Sequence, residues 1–415
     1  MRGSMLSAQD LLPLLHGYQM ESRRLRDGIT EIPTPDTLTI PLPGAEESYT
    51  RLAGEGAEVA KGQVLSAPKY AALAHAPAAG FVEAVEFREI PSCGQVWTAR
   101  LRVEGSQAVQ ARPVRGETEA ERVLRAAADA GIVDEMTGRP LYQELYRLRR
   151  REVSLLLACG IEDDPWCSSA CAVLREQGEQ VLEGLRLAAA FCGAKETGLA
   201  VSPPELRALR GSLPAARIER APARYPARAF LLRRLRAAGT AAGLLGPQAL
   251  AALAAAMQGE PQTHGVVTVF GDGVRTPRNL RFPCGAPLSS LLASCGVREE
   301  ASLFYVGPAC QGHTVTDPDT PIPLHARCIT VLLHPQKRRR MTCIGCGRCA
   351  SVCPQGILPW QIHESLHREK VDPFLLLNVQ SCIGCAACTA VCPSGLPLSA
   401  EVARAAAIRK SGDFF

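Results

Sequence analysis

Eight cysteines towards the C-terminal end of the chain fall into two runs of identical spacing. Cys343, Cys346, Cys349 and Cys353, followed by Pro354, spell C-x2-C-x2-C-x3-C-P. Cys382, Cys385, Cys388 and Cys392, followed by Pro393, spell it again. Thiolates at this spacing hold [4Fe–4S] clusters: three cysteines of a run cap three irons, and in two-cluster proteins the fourth comes from the other run. The expected ligand sets are therefore Cys343, Cys346, Cys349 and Cys392 for one cluster, and Cys382, Cys385, Cys388 and Cys353 for the other. Zinc also binds C-x2-C pairs, but two C-P-terminated fours fit two clusters better than two ions. Such a chain moves single electrons.

The elements around these residues must hold the runs together. Gly345 and Gly384 let the backbone turn tightly against sulfur, and Pro354 and Pro393 turn it away after the last thiolate. Cys353 and Cys382 lie 29 positions apart, far more than a short hairpin. Residues 357–377 carry apolar positions at helical spacing up to Pro373. Residues 397–410 read as an Ala-rich closing helix with Ser399 as its N-cap. A helical two-cluster module is expected. His363, Glu364 and His367 match the H-E-x-x-H zinc-protease pattern, but the sequence offers neither a third ligand nor a substrate cleft. Lys337, Arg338, Arg339 and Arg340 abut the first run. They read either as a solvated linker or as a docking patch for an acidic ferredoxin or flavodoxin, one that would also raise the nearby cluster's potential.

Composition sets the outer bounds. A chain of 415 residues is expected to form several domains. A net charge of +5 gives no argument for nucleic acid. No apolar run reaches the roughly 18 residues of a membrane span, and the N-terminus MRGSMLSAQD lacks a signal core, so a cytoplasmic protein is expected. Of seventeen cysteines, the nine outside the runs read as buried thiols in a reducing compartment, among them Cys192, Cys295 and Cys328.

Upstream, residues 37–106 show short alternating strands with Gly and Pro punctuation. Lys69 is the sole lysine placed like the swinging-arm lysine of a lipoyl domain, but its surroundings, PKYA, predict a structural barrel without an arm. Residues 115–255 alternate helical and short apolar patterns, including a helix over 117–131, strands at 153–160 and 198–202, and a long periodic stretch at 171–193. This is the pattern of an α/β domain. Neither G-x-G-x-x-G nor a Walker A run is present. Residues 264–334 read as strands around one helix at 287–296, the order of a β-grasp.

Taken with Gly56–Val64, Ser66–Val82, Gly307-Pro308, Gly312 and Asp319-Thr320-Pro321, this order resembles the RnfC-like family, a component of an electron-transport complex together with its soluble relatives. The resemblance implies a multidomain α+β fold. Its parts are an N-terminal extension (1–36), a barrel-sandwich hybrid (37–106), an α/β domain like the flavin subunit of complex I (115–255), an SLBB β-grasp (264–334) and an α-helical two-cluster ferredoxin domain (335–415). It also implies an oxidoreductase subunit, peripheral to the inner face of the cell membrane, that passes electrons between a redox carrier and a partner reductase or membrane complex. The alternative it carries is an FMN-dependent, NADH-oxidising subunit, with Gly138, Glu162 and Asp164 at the nucleotide site. The loop that should cradle that nucleotide departs from the family's glycine-rich pattern. It reads Ala130–Leu141, AGIVDEMTGRPL, with Asp134 and Glu135 where small residues let phosphate approach. The two clusters are the expected cofactors, and the loop argues against FMN.

Overall fold

The computed structural model describes residues 27–44, 53–91, 93–105, 113–162, 164, 167–211, 216–307, 312–333, 340–368 and 378–411. The chain is a mixed α+β protein with three main sheets and a C-terminal module of short helices.

Thr37–Leu42, Gly94–Val103, Gly80–Ile90 and Glu58–Val59 form an antiparallel sheet in that order, with Val64–Ser66 and Ala74–His75 as a separate small ladder. Its apolar face, including Leu38, Ile40 and Leu101, shares one core with Val267, Phe282 and Ile329 of a six-stranded mixed sheet. That second sheet runs Ile29–Glu31, Arg278–Pro283, His264–Phe270, Cys328–Leu332, Leu303–Val306 and His313–Val315. Its outermost strand, Ile29–Glu31, comes from the segment ahead of the first expected domain and pairs in parallel with Asn279–Arg281.

The third sheet is all parallel, in the order Ile218–Arg220, Glu196–Val201, Leu155–Cys159, Ala242–Leu245. Every residue of Leu155–Cys159 is buried, as a strand covered by helices on both faces must be. Alternate side chains serve two cores: Leu156 and Ala158 pack with the helices Glu119–Asp129, Gly178–Cys192 and Pro247–Ala256, while Leu155, Leu157 and Cys159 pack with the helix Ala227–Ala237. The stretch expected as one helix over 171–193 is two, Ser169–Glu176 and Gly178–Cys192, separated at Gln177. A glycine at the junction makes that break inexpensive, while the apolar period runs on undisturbed across it.

In the C-terminal module, Pro359–Leu366 and Leu398–Ser411 pack through Ile357, Ile362, Val402 and Ala405. Ser399 does not cap the closing helix, which begins one residue earlier. Its hydroxyl and its N–H instead both bond to Thr389 Oγ1, at 2.9 and 2.8 Å. Among the described residues no helix is long and apolar enough to cross a membrane.

A close helix–helix seam lies between Gly178–Cys192 and Pro247–Ala256. A Cβ at Gly184 would lie 1.9 Å from the Leu250 carbonyl oxygen. Gly184→Ala must push these helices apart, and overpacking of this kind costs about 1–3 kcal/mol. Thermal unfolding followed by circular dichroism is expected to show a lower midpoint for Gly184→Ala, and an unchanged midpoint contradicts the packing argument.

Candidate iron–sulfur site

Each cysteine run is an open loop leading into a one-turn helix, Arg348–Ser351 in the first and Ala387–Ala390 in the second. Gly345 and Gly384 take φ of 66° and 67°, the left-handed turn that brings their N–H groups back onto sulfur. Gly345 N–H donates to Cys343 Sγ at 3.5 Å, and Gly384 N–H to Cys382 Sγ at 3.4 Å. The repeat therefore extends from sequence to backbone geometry.

The structure draws members of the two runs together. Cys343, Cys346 and Cys349 line one pocket with Cys392 from the second run, and Ile344, Trp360, Leu396 and Leu398 form its apolar walls. Backbone N–H groups of Trp360 and Ala350 reach the Cys349 sulfur. On the other side, Cys388 lies within the electrostatic reach of Cys382, Cys385 and Cys353, and Cys353 packs against the Ile357–Val402 core. Four thiols converging within an apolar wall are a donor set suited to an iron–sulfur cluster and poorly suited to a hard, oxygen-seeking cation. Cys346 and Cys382 are exposed, so each set has one edge open to solvent. Of the basic run, Lys337, Arg338 and Arg339 lie outside the described residues, and Arg340 is exposed.

The cysteines outside the runs are thiols wherever they are described. Burial pushes Cys192 up to about 12 and Cys295 up to about 11, and hydrogen bonding to Cys167 and burial also push Cys328 up. These three are buried packing groups, whereas Cys93 is only half-buried and Cys310 lies outside the described residues.

The α/β domain is different. In open α/β sheets, ligands bind outside the carboxyl ends of the strands, where helix N-termini point at anions. Here the protein's own carboxylates fill that place. Asp134 and Glu135, both buried, sit in the tight turn between Val133–Asp134 and Arg139–Pro140, with Gly138 in the same turn. Asp134 Oδ1 accepts from Gly246 N–H at 2.9 Å, and Glu135 accepts from Gln248 and Ala249 N–H at 2.8 and 3.1 Å. These donors open the ten-residue helix Pro247–Ala256. Glu162 accepts from Ala170 N–H at 2.5 Å at the start of Ser169–Glu176, and faces Arg327 at 3.6 Å. Asp164 accepts from Cys167 N–H at 3.3 Å. Asp134, Glu135, Glu162 and Asp164 are thus engaged by amides near helix starts, while Gly138 only closes the turn, and these carboxyl groups do not fit a flavin phosphate at the strand ends. The sequence suggested repulsion at Asp134 and Glu135. It held no sign of the amides they occupy, more than a hundred residues downstream.

A cleft of about 1020 Å³ separates this domain from the second cysteine run. Arg147, Arg151, Arg228, Arg233 and Arg236 line it, opposite Ile383 and Cys385. Contacts bridge the domain to both runs: the Tyr225 hydroxyl donates to the Cys385 carbonyl, and Arg233 donates to the Pro354 carbonyl at 3.4 Å.

Burial, and secondarily the charge of Asp134, pushes Glu135 up to about 8, against the downward pull of the Gln248 and Ala249 amides. The folded protein then keeps a proton that the unfolded chain releases near 4.5. The associated stability is complete below that value and is lost as pH rises towards about 8. Urea unfolding is expected to show a lower midpoint at pH 8 than at pH 6, and Glu135→Gln is expected to flatten that slope. An equal drop in the variant contradicts the assignment.

Comparison with known proteins agrees with this geometry. Residues 342–396 match the family described as 4Fe-4S dicluster domain, so the chain is an iron–sulfur protein. Proteins named as the C subunit of an ion-translocating oxidoreductase complex are similar along most of its length. That of Rhodobacter capsulatus is 27% identical over 82% of this chain and 71% of its own length; that of Vibrio cholerae, 27% over 86% and 50%; that of Pseudomonas aeruginosa, 29% over 74% and 44%. The chain thus spans about half the length of the latter two. A solved structure described as an NAD+-reducing [NiFe]-hydrogenase in the air-oxidized state overlaps 67% of this chain and 57% of its own, with 17% identity and a TM-score of 0.41. Over most of its length, and in its dicluster segment, the chain is thus similar to the C subunits of ion-translocating oxidoreductase complexes.

Proposed function

We propose that this chain is the iron–sulfur electron-transfer subunit of an Rnf-type complex, passing electrons through two [4Fe–4S] clusters between a redox carrier and a partner reductase or membrane complex. The observation that carries it is the pocket in which Cys392 of the second run joins Cys343, Cys346 and Cys349 of the first. Cys382, Cys385, Cys388 and Cys353 hold the other cluster. When bound, each cluster supplies a one-electron carrier whose potential depends on hydrogen bonds to sulfur and on solvent exposure. This chain's residues set both: the Gly345, Gly384, Trp360 and Ala350 amides point at sulfur, and Trp360, Leu396 and Leu398 keep water from one side. Ile344 and Ile383, at matching positions of the two runs, remain exposed and offer apolar contact to a redox partner where the thiols approach the surface.

We read the three upstream units as barrel-sandwich hybrid, complex I flavin-subunit-like and SLBB β-grasp domains, a reading supported by the antiparallel sheet, the all-parallel sheet and the mixed sheet respectively. The relatives' name, an ion-translocating complex, supports a place beside a membrane. This chain would be held at the inner face by other subunits, with Lys337, Arg338, Arg339 and Arg340 available to steer an acidic carrier.

A second reading, an FMN-dependent NADH-oxidising subunit, is favoured by the arginine-lined cleft beside Cys385. Against it stand Asp134, Glu135, Glu162 and Asp164, whose carboxyl oxygens already occupy the amides at the strand ends. Protein purified anaerobically is expected to carry about eight irons and eight sulfides per chain and to release no flavin on denaturation. Four irons or fewer contradicts two clusters, and a stoichiometric flavin supports the second reading.

Paired substitutions test the exchange of ligands between runs. Cys346→Ala with Cys353→Ala strikes both proposed sets and is expected to remove most of the iron. Cys346→Ala with Cys392→Ala strikes one set and is expected to leave about half. The reverse ranking of the two iron contents contradicts the exchange.

A further inference from the structure

Outside the cysteine runs, one cluster of side chains has the composition of a metal site. His363 lies in the helix Pro359–Leu366, His367 is the residue that ends it, and Glu401 stands in the first turn of the closing helix. His363 Nδ1 is 2.8 Å from Glu401 Oε2, and His367 Nε2 is 3.0 Å from Glu401 Oε1. The two rings sit 4.6 Å apart, inclined at 60°. One ligand atom from each of the three residues lies within 4.8 Å of the others.

From this juxtaposition we propose that His363, His367 and Glu401 bind one divalent transition-metal ion with zinc-like preferences. Two imidazoles and one carboxylate are a common borderline donor set, and a water completes four-coordination. The exposure gradient suits that arrangement: His363 and Glu401 are 16% and 13% exposed, and His367, at 59%, leaves the outer side to solvent. The site is structural. Glu364, the general base of the H-E-x-x-H pattern, is turned to Arg368 at 3.5 Å, so nothing activates a water for hydrolysis. The ion would staple two helices whose shared core includes Ile362 and Val402 and packs against Cys353. It would thereby brace the segment that carries one thiol of the second cluster. Spacing supplied only the two histidines; the third ligand arrives from 34 residues further on, by helix packing.

The test uses the anaerobically purified full chain with its clusters loaded, so that the eight cysteines are occupied, after dialysis against EDTA. Zinc chloride is titrated by calorimetry. The wild-type protein is expected to take up one equivalent that His367→Ala and Glu401→Gln each lose, while the visible spectrum of the clusters stays unchanged in both. Because His367 is mostly exposed, its replacement leaves the core packing intact. Equal zinc uptake by wild type and His367→Ala, or no uptake by the wild type, overturns the proposal and leaves a carboxylate hydrogen-bonded to two imidazoles.

Discussion

Four sulfur atoms must converge on one small volume, and no single run of this sequence delivers them. Cys392 has to be carried back to Cys343, Cys346 and Cys349, and Cys353 has to reach the neighbourhood of Cys388. This crossing dictates the rest of the module. Each run needs a left-handed glycine to aim its amide at sulfur, and the helices Pro359–Leu366 and Leu398–Ser411 must pack closely enough to hold the runs in register. The apolar wall of Trp360, Leu396 and Leu398 follows from the same demand. It surrounds the thiols with groups that do not compete for the donor atoms.

The α/β domain obeys a different constraint. The start of a helix exposes unpaired amides and a partial positive charge, and something negative has to answer them when they are buried. In a nucleotide-binding protein the ligand does so. Here carboxyl oxygens of Asp134, Glu135 and Glu162 accept from those amides from within the chain. The fold is kept, its polar groups are satisfied, and the position where a phosphate would bind is occupied.

What was legible in the sequence is what rests on local spacing. The two cysteine runs, the buried parallel strand Leu155–Cys159 and the amphipathic Glu119–Asp129 helix each announce themselves within a dozen residues. Features that depend on distant partners did not. The break at Gln177 is invisible because the apolar period continues through it. Ser399 looks like a cap until Thr389 claims both its hydroxyl and its amide. Glu401 carries no local mark of its two histidines. The carboxylates of the loop at 134–135 were readable as hostile to phosphate, but their partners at residues 246–249 were not, since tertiary packing alone brings them together.

The strand Ile29–Glu31 closes one side of the six-stranded sheet by pairing with Asn279–Arg281, although it lies ahead of the expected first domain. Cutting the chain at residue 37, where the alternating pattern begins, would strip that strand away. The backbone groups of Asn279–Arg281 that it covers would then become an open sheet edge, the kind of surface on which a second chain can add. The segment read as an N-terminal extension is thus part of this sheet, and a trimmed version of this protein is expected to trade a shorter chain for a tendency to self-associate.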